Sequence, residues 1–332
     1  MGFAIDYGAT FFMVTFYVTL GIFSSIINLI NIFVYSRKAM RSKFLFQLTF
    51  ELFELVDSIS YILTGVGRGS GLLGGYFTTP ITVNDCFFKT YWVHSLILGM
   101  ELPCYMVILM SIERICAALK PALYKKYFSG AQKMWFVTIV ITGGLISLFM
   151  AGLSADGDTT LTGTHHCAII TSTSKTYSTF HFAIVIVAYL VSFFSLLIVY
   201  LVSKHVEGMI ARRDREKKIS LMLGICGISM VLVSLPSIVM IGIKWGLWVV
   251  SDLVVALTYG MPGCLTIANT CINLIFRKDY REQFIGIFGV HAEKMTNKVQ
   301  ISVTQSPSLH SHAPSPQIFR SIAQMAMTKV EP

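Results

Sequence analysis

Seven long apolar segments constrain this chain more than any other feature of its 332 residues. A helix needs about 20 predominantly apolar residues to cross the hydrocarbon core of a bilayer, and seven segments reach that length. They are Thr10–Tyr35, Phe44–Gly67, Phe87–Leu119, Met134–Leu153, Thr179–Ser203, Ile219–Ile243 and Ser251–Phe276. The pattern predicts an all-α membrane protein in which residues 10–276 form a bundle of seven transmembrane helices.

The composition agrees with a bilayer-embedded chain and argues against several other classes. Charged residues make up 13% of the sequence, against about 25% in a typical soluble domain. The net charge of +9 does not indicate nucleic-acid binding, because the basic residues lie in short stretches between apolar segments. No C-x-x-C or H-x-x-x-H metal pattern and no G-x-S-x-G nucleophile pattern occurs. We therefore expect no metal, no cofactor and no enzymatic activity.

The basic residues orient the predicted helices. Lysine and arginine are enriched in the cytoplasmic connections of membrane proteins, and here they follow the first, third, fifth and seventh segments. These residues are Arg37, Lys38, Arg41, Lys43, Lys120, Lys125, Lys126, Lys133, Lys204, Arg212, Arg213, Arg215, Lys217, Lys218, Arg277, Lys278 and Arg281. The alternate connections hold only Arg68, Lys89, Lys175 and Lys244. The amino terminus (residues 1–9) is therefore predicted to be extracellular and the carboxyl terminus cytoplasmic.

Two different segments follow the last predicted span. Residues 277–290 carry four large apolar or aromatic side chains on one helical face: Tyr280, Phe284, Ile287 and Phe288. This pattern is typical of an amphipathic helix that lies in the membrane interface. Residues 291–332 are rich in Ser, Thr, Pro, Gln and His, and that composition predicts a disordered cytoplasmic tail.

Cys86 and Cys167 are the two of the seven cysteines that fall in connecting segments. Cys86 lies at the start of the third predicted span, and Cys167 lies in the loop before the fifth. Both are on the predicted extracellular side, where an oxidising environment permits a disulfide. We favour a bridge that holds this outer loop over the bundle; the alternative is two free thiols.

An adjacent acid–base pair, Glu113 and Arg114, lies at the cytoplasmic end of the third predicted span. Charges at this depth are costly unless they are paired or reach the interface, so the plain alternative is an interfacial anchor. In the sixth span, Pro236 removes a backbone hydrogen bond and is expected to kink the helix. Glu216 precedes it by 20 residues, about 30 Å at 1.5 Å per residue, which puts Glu216 at the depth of Arg114.

These features, taken in order, resemble the rhodopsin-like family of G-protein-coupled receptors over about residues 10–290. The run Glu113-Arg114-Ile115 is similar to the family's Asp/Glu-Arg-Tyr motif. The further matches are Asn28 for the first-helix asparagine, Pro121 and Tyr124 for the Pro-x-x-Tyr of the second inner loop, Tyr200 for the fifth-helix tyrosine, Asn269 for the start of Asn-Pro-x-x-Tyr, and Lys278–Arg281 for the start of the eighth helix.

The chain also departs from the family pattern. Thr270 and Asn273 replace the proline and the tyrosine of the seventh-helix motif, and Ser234 stands where a tryptophan would precede Pro236. Such loose adherence is similar to the nematode serpentine chemoreceptors of the Srsx type.

The resemblance implies a receptor in the plasma membrane that activates a heterotrimeric G protein. It implies a resting state in which Arg114 contacts Glu113 and Glu216 and so holds the third and sixth helices together. A ligand from outside would rotate the sixth helix about Pro236 and open a cleft for the G protein, with Tyr200 approaching the arginine. Serines and threonines of the tail are candidate phosphate acceptors through which arrestin would bind.

Candidate ligand contacts lie inside the predicted bundle. Glu101 is an intramembrane acid, which is a functional-site hypothesis by default; the alternative is a structural, hydrogen-bonded role. His94, Tyr105, His181 and Tyr259 are further candidates for the pocket, although aromatic residues at helical spacing often only pack.

Other residues limit the classes of ligand that the resemblance allows. Leu96 stands where the family's amine receptors carry an aspartate, which disfavours an amine ligand, and the seventh span lacks the lysine that retinal would need. The short outer amino terminus and the absence of any Asn-x-Ser/Thr acceptor suit a small ligand. We favour a chemosensory receptor, with a neuropeptide receptor as the alternative.

A buried polar core is predicted from Asn28, Glu54 and Asp57, and either of the two acids can be the family's second-helix acid. The cluster of acids in the second span also keeps a rival class open, a small transporter or channel.

Overall fold

The computed structural model describes residues 7–41, 44–128, 132–206 and 209–287. Within these ranges it does not describe the side chains of residues 39, 203–206, 209–222, 225, 252 and 287. The predicted disordered tail (291–332) and the side chain of Glu216 therefore lie outside the described part of the chain.

In the described ranges the chain forms thirteen helices and two short strands. In order they are α1 (Tyr7–Ser36), α2 (Lys38–Arg41), α3 (Leu45–Leu73), β1 (Ile81–Thr82), α4 (Val83–Lys89), α5 (Tyr91–Leu119), α6 (Pro121–Tyr127), α7 (Gln132–Ala155), β2 (Leu161–Thr162), α8 (Ile169–Ser172), α9 (Lys175–Val206), α10 (Met209–Lys244), α11 (Asp252–Gly260), α12 (Gly263–Phe276) and α13 (Lys278–Ile287).

Six helical segments of the described chain are long and apolar enough to cross a membrane. They are Tyr7–Ser36 in α1, Tyr91–Leu119 in α5, Gln132–Ala155 in α7, Lys175–Val202 in α9, Cys226–Lys244 in α10, and Leu253–Phe276 across α11 and α12. The prediction of a helical, multi-pass membrane protein is confirmed at this level. The second predicted span, Phe44–Gly67, falls on α3, which is 29 residues long but carries Glu51, Glu54 and Asp57; its crossing of the membrane stays a prediction.

The long helices pack in a closed ring. α3 lies between α1 and α5, α5 packs on α9, α9 on α10, α10 on α12, and α12 returns to α1, while α7 packs mainly on α5. Two glycines allow close approaches to α3. A Cβ atom on Gly21 would lie 2.8 Å from the carbonyl oxygen of Ser58, and one on Gly99 would lie 2.8 Å from the Cα atom of Asp57. α3 therefore sits deep between its two neighbours.

The third predicted span, Phe87–Leu119, is wrong at its start. A separate helix, α4, ends at Lys89, and α5 begins at Tyr91. Thr90 between them has an extended backbone, and its hydroxyl group donates to the carbonyl oxygen of Cys86. This local hydrogen bond competes with the continuation of the helix.

The last predicted span, Ser251–Phe276, contains a break between α11 and α12. Pro262 has no backbone N–H and cannot continue the ladder of helical hydrogen bonds. The N–H group of Cys264 instead donates to the carbonyl oxygen of Met261 at 3.1 Å, a spacing of three residues. The chain thus passes the proline by a tight turn.

The two ends of the ring differ in content. At one end the sulfur atoms of Cys86 and Cys167 are bonded, which confirms the predicted disulfide, and β1 pairs antiparallel with β2. We call this the disulfide end. The opposite end holds Arg114, the short helix α6 and the start of α13, and we call it the Arg114 end.

Candidate functional site

A cavity of about 440 Å³ lies among the helices at the Arg114 end, with walls from α3, α5, α9, α10, α12 and the start of α13. Val107, Met110 and Arg114 line it from α5, where they follow one another on one helical face. Asn269 lines it from α12, and its Oδ1 atom has no hydrogen-bond partner among the described residues. The cavity is therefore apolar along α5 and polar near Arg114.

Arg114 is half-buried, and within the described chain no side chain pairs with its guanidinium group. Its neighbour Glu113 contacts another helix, because Nζ of Lys133 in α7 lies 2.7 Å from Oε1 of Glu113. In this structure, Glu113 contacts Lys133 rather than Arg114; the resting contact between Arg114 and Glu113 stays a prediction.

The burial of Lys133 explains this difference. The residue is only 7% exposed, and its Nζ atom lies 4.9 Å from the ring centroid of Phe46 and 6.0 Å from that of Tyr124. A buried ammonium group is costly without a counter-ion, whereas the rings add a cation–π attraction. Among the described residues Glu113 is the one carboxylate within ion-pair distance of Lys133, so it is held there.

The predicted switch residues of the fifth and sixth spans lie on α9 and α10. Tyr200 is half-buried and follows Leu196, which lines the cavity, by one helical turn. Pro236 is buried, and α10 runs through it without a break. The predicted contact between Arg114 and Glu216 involves a side chain outside the described part of the molecule.

The Pro-x-x-Tyr run forms the short helix α6 beside the Lys133–Glu113 pair. Pro121 is the first residue of this helix, a position that its fixed φ angle suits. The ring of Tyr124 stacks on that of Phe128, with 6.0 Å between the centroids. These rings help to cover the buried ammonium group.

A buried hydrogen-bond network, which the sequence did not predict, lies beside the cavity. Asn31 donates from Nδ2 to Oε2 of Glu51 and to Oγ1 of Thr270, both at 2.8 Å. The hydroxyl group of Tyr280 in α13 donates to Oδ1 of Asn31, and burial raises the pKa of Tyr280, so the phenol stays protonated. The network joins α1, α3, α12 and α13. The available signal was the spacing of Asn28 and Asn31 on one face of an apolar helix.

The predicted polar core is buried between α1, α3 and α12. Nδ2 of Asn28 donates to Oγ of Ser58 at 2.8 Å, and Oε2 of Glu54 accepts from Thr266 at 2.8 Å. Oδ1 of Asp57 has no partner in the described residues. Both acids line a void of about 20 Å³, enough for one water molecule, so both remain candidates for the second-helix acid.

Glu101 and His181, two predicted pocket residues, meet in the core. Both are fully buried, and Nδ1 of His181 lies 2.7 Å from Oε1 of Glu101. The same oxygen accepts hydrogen bonds from Ser147 at 2.9 Å and from Tyr177 at 3.0 Å. These contacts join α5, α7 and α9, and they favour the structural role of Glu101.

The other predicted pocket residues lie on different sides of the bundle. The ring of His94 packs 4.6 Å from that of Phe87, and Tyr105 lies against Gly143 of α7. Tyr259 is buried near the disulfide end, where its hydroxyl oxygen accepts from the backbone N–H of Ile170 at 3.4 Å.

The Arg114 cavity combines an apolar wall with amide side chains and with a guanidinium group that has no side-chain partner within the described chain. Such a recess suits a polypeptide segment that lays apolar side chains against the wall and offers carbonyl or carboxylate oxygens to the arginine. Neither the family models nor the curated proteins compared with the chain match it.

Proposed function

We propose that the chain is a rhodopsin-like G-protein-coupled receptor of the plasma membrane, with its amino terminus outside and seven membrane-spanning helices. The observation that supports it is Arg114, which borders a cavity of about 440 Å³ while its sequence neighbour Glu113 is held by Lys133. A helix of a heterotrimeric G protein fits such a recess.

The burial pattern of α3 supports counting this helix as a membrane span in addition to the six described above, which brings the total to seven. Its acids Glu51 and Asp57 are 3% and 5% exposed and face the neighbouring helices. The large exposed apolar side chains of α3 are spaced by seven residues: Leu52, Ile59, Val66 and Leu73. This helix therefore turns an apolar stripe outward and its charges inward, as a membrane-spanning helix must.

The distribution of basic residues supports the proposed orientation. The Arg114 end carries Arg37, Lys38 and Arg41 around α2 and two lysines in α6, and positively charged connections stay in the cytoplasm. The disulfide at the other end is stable in an oxidising compartment. The Ser/Thr-rich tail that would bind arrestin lies outside the described residues.

We propose that the receptor is chemosensory and that its ligand is a small extracellular molecule. At the disulfide end the loop residues Cys167, Ala168 and Ile169 are buried in the bundle. They leave less room there for a peptide than for a small molecule, which makes a neuropeptide the second choice. A ligand that shifts α10 about Pro236 would widen the recess beside Arg114, and ligand affinity and G-protein affinity would then rise together.

The test is G-protein activation in cells that express the chain with a panel of chimeric Gα subunits, read by dissociation of the trimer. Arg114→Leu should abolish coupling at normal surface expression. The matched control is Arg41→Leu, since Arg41 is an exposed cation at the same end, and it should keep most of the signal. Equal signals from wild type and Arg114→Leu would overturn the proposal. Ligand-gated ion flux in liposomes that contain only this chain would favour the transporter or channel class.

A further inference from the structure

One loop enters the bundle at the disulfide end. Cys167, Ala168 and Ile169 are fully buried, and they pack in the same apolar cluster as Phe182 and Met240. Loops ordinarily run over the surface, because a buried loop carries backbone polar groups that need partners. The segment His166–Thr173 is therefore unusual, and we call it the plug.

Cations donate to three of the backbone carbonyl groups of the plug. Nε of Arg68 in α3 donates to the carbonyl oxygen of His166 at 2.8 Å. Nζ of Lys244 in α10 donates to the carbonyl oxygen of Thr173 at 3.0 Å and to that of Ile170. Two cations from opposite parts of the ring thus hold three carbonyl oxygens of one short segment.

These cations lack carboxylate partners in the described part of the chain. Arg68 is 2% exposed, it lies 5.2 Å from the ring centroid of Tyr17, and its Nη1 atom has no hydrogen-bond partner among the described residues. A guanidinium group does not lose its proton in a protein, so this charge remains. Burial and the nearby Arg68 lower the pKa of His166, so the imidazole beside it stays neutral.

Lys244 is in a similar position. It is half-buried and forms no ion pair within the described residues. The negative charge of Asp158 acts on Lys244 without direct contact. The Asp158 carboxylate instead accepts a hydrogen bond from the backbone N–H of Thr160 at 2.9 Å. The disulfide end therefore holds one buried and one half-buried cation over an apolar interior, and among the described residues their main acceptors are carbonyl oxygens.

We propose that the plug occupies a ligand site and that the ligand is an apolar carboxylate. Its two oxygens take over the hydrogen bonds that Arg68 and Lys244 make to the plug, and its hydrocarbon body takes the place of Ile169 and Ile170. A carboxylate is the better acceptor, because hydrogen bonds between charged groups are stronger than those to a neutral carbonyl oxygen. An amine would be repelled by both cations. This inference rests on the proposed receptor function, since it names the ligand class of that receptor.

The test is direct binding to the full chain in lipid nanodiscs, read by thermal unfolding with three probes of equal length: octanoate, octanol and octylamine. Octanoate should raise the midpoint of unfolding in a concentration-dependent way, and the other two should not. Arg68→Gln and Lys244→Gln should each weaken octanoate binding about tenfold, as expected for the loss of one charge-assisted hydrogen bond. The control is Lys89→Gln, since Lys89 is an exposed cation at the same end that pairs with Asp85 at 2.9 Å, and it should bind like wild type.

Two outcomes overturn the carboxylate site: stabilisation by octanol equal to that by octanoate, or wild-type octanoate affinity in both glutamine variants. If Arg68→Gln does not fold, Arg68→Lys keeps a cation at the site and should bind octanoate more tightly than Lys244→Gln does. The receptor function is tested separately. Octanoate binding without any G-protein response would overturn the receptor and keep the site, whereas G-protein activation without octanoate binding would do the reverse.

Discussion

Under the proposed receptor function, replacing Lys133 with methionine is expected to lower ligand-independent coupling to the G protein by up to about fivefold. The Lys133–Glu113 ion pair spans 2.7 Å, with 9% and 19% of the two side chains exposed, and a hydrogen bond to a charged group at such burial contributes about 1.5–3 kcal/mol. A contact between Glu113 and the half-buried Arg114 would be more screened and would contribute about 0–1 kcal/mol. The stronger contact prevails, so Glu113 stays on Lys133 in the wild type.

Without the ammonium group of Lys133, Glu113 turns to Arg114, and a G protein must then break that contact. The upper limit of about 1 kcal/mol corresponds to a factor of about five at 25 °C. The assay is basal G-protein activation normalised to surface expression, with Lys133→Arg as the control that keeps the cation. The double variant Glu113→Gln, Lys133→Met should regain the wild-type basal level, because a neutral amide does not hold the arginine by charge. Basal activity in Lys133→Met at or above the wild-type level would refute the reasoning, as would a double variant as inactive as the single one.

Three further predictions concern stability. Cys86→Ser removes a disulfide between residues 81 positions apart, which should cost about 4 kcal/mol; reductant should lower the unfolding midpoint of the wild type but not that of the variant. Tyr280→Phe leaves the buried Oδ1 of Asn31 without its donor and should cost about 1–3 kcal/mol, so an unchanged midpoint would contradict that bond. The lowered pKa of His166, caused by burial and by Arg68, means that the stability it supports is complete above the ordinary pKa of about 6.5 and is lost as the pH falls below it. Between pH 7 and pH 5 the wild type should therefore lose more stability than His166→Asn, and parallel curves would count against this assignment.

Local chemistry explains which parts of the fold were predictable. Long apolar runs predict helices because each run alone decides whether its residues can enter lipid. The breaks were missed although their causes are local: Thr90 bonds the carbonyl oxygen of Cys86, and Pro262 lacks an N–H group. Both residues lie within long apolar segments, and the predicted spans followed the length of those segments rather than the single residues that interrupt the helix. The disulfide was predictable because Cys86 and Cys167 are the two cysteines in connecting segments, and the predicted orientation put both on one side.

The side-chain pairs of the candidate site were much less predictable, because they depend on how distant helices turn against one another. Glu101 and His181 are 80 residues apart, and no spacing rule relates two helices that meet only after packing. The acids of α3 show a second limit, which is that hydropathy averages over all faces of a helix. Glu51 and Asp57 lower the hydropathy of the helix, yet both are buried against neighbouring helices, so composition understates how apolar its outward face is.

A common physical cause connects the Arg114 end with the disulfide end. In surroundings of low dielectric, a charged side chain is held by the partner that is buried with it, and nearness in sequence matters little. Glu113 is adjacent to Arg114 but pairs with Lys133, and Arg68 and Lys244 donate to carbonyl groups 98 and 74 residues away. Cations are therefore left able to donate to an external oxygen at both ends: Arg114 beside its cavity, and Arg68 and Lys244 at the plug. The proposed receptor function therefore requires that an acceptor bound at one end change the packing that holds the cation at the other.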